Sequence, residues 1–193
     1  MPSTILHHQE DCCRTALAWL HGVDASHCYH RTQWYPPTWI RKKYNWGPIQ
    51  WPIYWCDLPN AEQLDCGALA ALAVNLYQLR QKSAVSVQMA LHYPTHATEQ
   101  WRNMWERQGV NASWISGEYC YHEACGILEG QELLLWDPTE SRWIDPPSSL
   151  HEIFASVVAL RVYLPENVPA QTVKWNTITI HTGIWNNLNP DQV

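Results

Sequence analysis

Residues 62–76, EQLDCGALAALAVNL, pass from a polar loop into an alanine- and leucine-rich run. Leu69, Leu72 and Leu76, with Leu79 just beyond, recur at spacings of three and four, which aligns them along one stripe of a helix. Gly67, Ala68, Ala70, Ala71 and Ala73 surround the first turns, so other backbone can approach closely. This composition predicts a helix held in the middle of the fold and starting at Cys66. A serine or threonine would cap that helix as well, and a buried cysteine would sit on its apolar face. The unpaired amides of a helix N-terminus carry partial positive charge and stabilise a thiolate relative to a thiol. Cys66 therefore stands where a cysteine becomes a nucleophile, although the same residue type also serves as a small, inert hydrophobe.

A nucleophilic thiol needs a base and a group to orient it. Downstream of the helix, SAVSVQMAL alternates Val85, Val87, Met89 and Leu91 against smaller or polar residues and reads as a strand with one covered face. TEQWRNMWERQG places Trp101, Met104 and Trp105 on one helical face and ends at Gly109. SWISGEYCYHEACGIL and ELLLWDP follow as strands joined at Glu129–Gln131, and that turn places His122 and Asp137 directly opposite each other. A carboxylate there accepts from one imidazole nitrogen and leaves the other to face the thiol. Alternation sends Glu123 to the other face, as a surface or hydrogen-bonded residue. Cys120 shares the His122 face and Cys125 does not.

The remaining pattern supports an α+β domain in which a central helix packs on an antiparallel sheet. DCCRTALAWLHG reads as a short helix from Asp11 to Gly22, PPSSLHEIF as a short helix with a Ser149–Glu152 capping box, and VVALRVYL and TVKWNTITI as closing strands. The length of 193 residues favours one domain over residues 1–193. Residues 27–60 are rich in Trp and Pro and form an ordered loop or lid. Eight of the tryptophans and tyrosines lie between Trp34 and Trp55, either roofing the core or walling a ligand.

DCGALAALA, YHEACGIL and LLLWDPT together resemble the papain-like cysteine enzymes, in particular their transglutaminase-like branch. The resemblance covers about residues 55–145. It implies a papain-like α+β fold, a triad of Cys66, His122 and Asp137, and covalent acyl transfer on an amide or thioester without a cofactor. The family's Asp-Pro-Thr ending matches Asp137, Pro138 and Thr139. HHQEDCCRTALAWL, with Gln9 before Asp11 and Cys12, resembles a second papain-like branch, the C39-type peptidases. That pattern continues Asp-Cys-Gly, which residues 65–67 satisfy, whereas Cys12 is followed by Cys13. Cys12 or Cys13 is thus the alternative nucleophile. The resemblance also implies an oxyanion site made of the Cys66 amide and an upstream donor, Gln63 first, with Gln50 and Trp55 as alternatives. Trp55 and Trp136 are expected at the substrate.

The totals exclude other classes. The net charge of −6 and the absence of a basic run longer than Arg41–Lys43 argue against nucleic acid. No apolar run reaches the roughly 20 residues that span a bilayer, and the first residues lack a leader pattern, so a cytoplasmic protein away from the membrane is expected. Seven cysteines without regular spacing point to reduced thiols. Ten histidines raise a metal reading, but Pro94 between His92 and His96 breaks their helical spacing. No metal site is expected. The substrate class is a peptide or small-molecule acyl compound, free or on a carrier protein. The competing reading is an inactive papain-like module that binds a ligand in an aromatic groove.

Overall fold

The computed structural model describes residue 5 and residues 10–27, 36–49, 53–146, 156–165 and 168–188. Helix α1 (Glu10–His27) is followed by the short α2 (Trp39–Lys43), strand β1 (Asn45–Trp46), a 3-10 turn at Trp55–Asp57 and strand β2 (Gln63–Leu64), which pairs in parallel with β1. Helix α3 runs from Cys66 to Leu79. Then come β3 (Ser83–His92), α4 (Thr95–Arg107), β4 (Ile115–Ser116), β5 (Tyr119–Glu129), β6 (Glu132–Asp137) and β7 (Arg142–Ile144). The chain continues through β8 (Ser156–Tyr163), β9 (Thr172–Trp175), β10 (Ile178–His181) and β11 (Asn186–Asn187).

The fold is mixed α+β, and its sheet comes close to closing on itself. The strand order is β10-β9-β6-β5-β3-β8-β11, with β4 added to β5 and β7 to β6. All its pairings are antiparallel except β6 with β9. At the far side the chain after β10 returns to β8, where the Gly183 amide donates to the Val162 carbonyl at 2.9 Å. The two faces of such a sheet need separate cores, and alternation supplies them. Val85, Val87, Met89, Ala124, Leu133, Leu135, Leu160 and Val162 fill the inside of the curl. Ala84, Cys125, Ile127 and Trp136 face the opposite way, into the core built with α1, α2 and α3.

Helix α3 lies against β3 and β5. Leu69, Leu72 and Leu76 are buried as the spacing predicts, but Leu79, the last residue of the helix, is 41% exposed. The far end of α3 is tied to α1. Arg80 donates through Nε and Nη2 to the two carboxylate oxygens of Asp24 at 2.8 and 2.6 Å, and the Trp39 indole donates to Asp24 at 2.7 Å. This buried carboxylate explains why α1 runs through Gly22, the expected stop, to His27. A glycine inside a helix costs only about 1 kcal/mol, which the tie to Asp24 offsets.

TVKWNTITI is a hairpin of two strands, with Asn176 in the left-handed region at φ 55°. Asparagine tolerates that conformation, and the alternation on either side hid the turn. The expected Ser149–Glu152 helix lies outside the described residues, as do Gln9 and Gln50. Cys12 and Cys13 are described only as backbone of α1.

Candidate active site

Asp65 is the N-cap of α3. Its carboxylate accepts the Ala68 amide at 2.7 Å, and its carbonyl accepts the Leu69 amide at 3.0 Å. Cys66 is the first helical residue and is partly exposed. The amides of Cys66 and Gly67 make no hydrogen bond among the described residues. The helix thus presents a thiol with unspent backbone donors beside it, which is the composition an oxyanion site requires.

His122 comes from β5 and Asp137 from the end of β6. The imidazole Nε2 lies 3.0 Å from the Asp137 Oδ2. A carboxylate can only accept, so Nε2 carries the proton in this bond and Nδ1 is the nitrogen left for a thiol. The two residues are not directly opposite, as the sequence expects. The hairpin turns at Gly130 and Gln131, with Glu129 paired to Glu132 and Cys125 to Trp136. Asp137 therefore falls beyond the Trp136 pair, and His122 is its diagonal neighbour two residues along. Diagonal neighbours on one face remain within reach of long side chains.

The rest of the Asp137 carboxylate is fixed by backbone. Its Oδ1 accepts the Thr139 amide at 2.8 Å and the Glu140 amide at 3.4 Å, so the Asp-Pro-Thr turn folds back onto its own acid. Burial alone would raise the pKa of Asp137, but the His122 charge, its hydrogen bond and these two amides hold it below the usual carboxylate range. Burial would likewise lower the pKa of His122. The Asp137 charge and hydrogen bond, followed by hydrogen-bonding and charge interactions with Cys66, outweigh it and lift the imidazole to about 10. The side chains are 13% and 5% exposed, so little water screens the pair.

A cleft of about 330 Å³ opens against this pair. It is lined by His122, Asp137 and Thr139 together with Trp46, Trp101, Trp105 and Trp114. Cys66 is not among the residues that line it, so the cleft meets the site from the imidazole side. Of the two readings of the aromatics in residues 27–60, roofing the core fits Trp39, Tyr44 and Trp55, and the walls of the cleft come mainly from α4 and the segment before β4. Of the described part of that region, Trp46 alone reaches the cleft, while Trp39 and Trp55 are core residues. The shared face of Trp101 and Trp105 on α4 is a local trace of this wall, but it carried no reading of a cleft.

Two expected substrate contacts are corrected. Trp55 is 2% exposed and Trp136 3% exposed, both packed in the helix-side core. The aromatic run around Trp55 turns inward to the 3-10 segment, and Trp136 is the outward neighbour of an inward-facing Asp137. Gln63 is exposed, and its amide nitrogen donates to the Pro48 carbonyl at 2.5 Å, so the side chain holds the loop after β1. Glu123 is the hydrogen-bonded residue of its two expected readings, and it is buried. It accepts from the Tyr121 hydroxyl and, at 3.2 Å, from Ser86.

Burial raises the pKa of Cys125 and, with only partial opposition from Arg102, that of Cys120. His92 ends β3 and bonds Glu118 at 3.3 Å, while His96 lies in the first turn of α4, so the two do not share a helix. Among the described residues no group of three or more His, Cys, Asp or Glu side chains is placed to hold a metal ion, and no helix is long and apolar enough to cross a membrane. Comparison with known protein families, characterised proteins and solved structures finds no match to this chain.

Proposed function

We propose that the protein is a cysteine-dependent acyl-transfer enzyme of the papain-like, transglutaminase-like kind, with Cys66, His122 and Asp137 as its triad. The observation that carries this reading is an imidazole held through Nε2 at 3.0 Å by a buried carboxylate, with Cys66 at the start of α3 adding to the rise of its pKa. In the first step the Cys66 sulfur adds to the carbonyl carbon of an amide or thioester. The bond to the leaving group breaks, and His122 passes the thiol's proton to that group. The product is a thioester on Cys66. Water or an amine then gives its proton to His122 and attacks the thioester, the carbon–sulfur bond breaks, and the thiol recovers the proton. Asp137 holds the tautomer throughout. The amides of Cys66 and Gly67, unpaired among the described residues, are the donors available to the oxyanion, and they take the place of the Gln63 side chain.

Incubation with p-nitrophenyl acetate tests this directly. Intact-mass and peptide analysis should find one acetyl group on Cys66 with release of p-nitrophenol, and none in Cys66→Ala. An unmodified Cys66, or acetylation confined to Cys12 or Cys13, sinks the assignment. A second reading is favoured by the absence of Cys66 from the cleft lining: an inactive module that binds its ligand in the aromatic cleft. Ligand binding without any acylation would select it.

A further inference from the structure

The cleft beside His122 carries more aromatic surface than the positioning of an imidazole requires. Trp46 lies edge to face with Trp105 and Trp114, at ring distances of 5.6 and 6.5 Å, and Trp105 with Trp114 at 6.1 Å. Tyr93 and Trp101 are paired in the same way at 4.8 Å. These rings come from four separate segments, and each braces another. They are only partly buried: Tyr93, Trp101, Trp105 and Trp114 pack around a small centre of Ala112, Ile115 and Cys120, and Trp46 against the helix-side core. Helix α4 buries only Thr98 completely, so its tryptophans face the cleft without being sealed into a core. At the polar end, the Tyr93 hydroxyl and the Arg142 guanidinium make no hydrogen bond among the described residues. The volume is that of a small-molecule site.

Resting on the acyl-transfer reading above, we propose that this cleft receives the half of the substrate that exchanges protons with His122, namely the leaving group or the accepting amine. We further propose that this half carries a flat aromatic ring. The side follows from the lining: a group in the cleft meets His122 and Asp137 and not Cys66, whereas the acyl carbon must be bonded to Cys66. The ring follows from the walls. Braced aromatic faces lose little freedom on binding, and they favour a π-system over an alkyl chain of equal area through edge and face pairing. Tyr93 and Arg142 then meet the polar part of the same ligand.

Tryptophan amide and leucine amide share an ammonium and an amide and differ in the side chain, so calorimetry with both on the Cys66→Ala protein isolates the ring. Tryptophan amide should bind about fivefold tighter and shift the His122 imidazole resonance. The preference should vanish in Trp105→Leu and Trp114→Leu and survive in Trp105→Phe, which keeps a ring and guards against loss of fold. Equal affinities, or a preference untouched in both leucine variants, overturn the proposal. Acylation of Cys66 in the wild-type chain without an aromatic preference removes this proposal and leaves the acyl-transfer reading standing. An aromatic preference without acylation overturns the assignment of the ligand as a substrate half.

Discussion

Asp137 divides its carboxylate, one oxygen for the backbone of its own turn and one for His122, and that division fixes the behaviour of the pair with pH. His122 is raised, so its contribution to stability is complete below roughly 6.5 and is lost as pH rises through about 10. Asp137 is lowered, so its contribution is present above roughly 3.9 and is lost as pH falls through its folded-state value. Both contributions are therefore present at mildly acid pH, and that of His122 declines across the alkaline range. NMR titration should find His122 still protonated at pH values where a free histidine is neutral. Asp137→Asn should bring its midpoint down by more than a unit, since the carboxylate supplies the largest opposing effect to burial. An unchanged midpoint contradicts the geometry. Native alkylation should spare Cys125 and Cys120, whose thiols burial keeps protonated.

At the scale of the element, much of the site was legible because strand alternation has a period of two. The sequence placed the hairpin turn too early, which shifted the partner of His122 by two residues. A shift of two keeps both side chains on one face, so the pair survived the error; a shift of one would have separated them. The turn itself was ambiguous because Glu129, Gly130 and Gln131 all suit a turn, and only Gly130 takes φ 65°. Gly126 is a different case, because a Cβ there would stand 2.8 Å from Val87 and 3.0 Å from Leu133. Gly126→Ala should cost about 1–3 kcal/mol in denaturant unfolding by overpacking the inner core between β3 and β6. The buried carboxylate of Asp24 was invisible in sequence, since its partners Trp39 and Arg80 are far along the chain. Asp24→Ala removes the carboxylate that Arg80 and Trp39 share and should cost about 3 kcal/mol; a loss under about 0.5 kcal/mol, the ordinary range of surface changes, would show that the link carries no stability.

At the scale of the whole molecule, the helix, the curled sheet and the cleft are three solutions to burying one apolar set. The sequence revealed the α3 stripe and the β5–β6 pair because each is written in local periodicity. It did not reveal that the sheet nearly closes, because that depends on β9 joining β6 and on the return to β8, contacts between distant residues with no local signature. The cleft was hidden for the same reason, since Trp46, Trp101 and Trp114 meet only after three segments have packed. Burial likewise took Trp55 and Trp136, both expected at the substrate, into the core.

The central claim is that Cys66 and His122 act together, and the rate of iodoacetamide labelling at neutral pH measures this most directly. Peptide mass spectrometry should locate the fastest labelling of the native protein on Cys66, with the rate falling by about tenfold or more in His122→Ala. Labelling of Cys66 no faster than a free thiol, or equally fast without His122, would contradict the account.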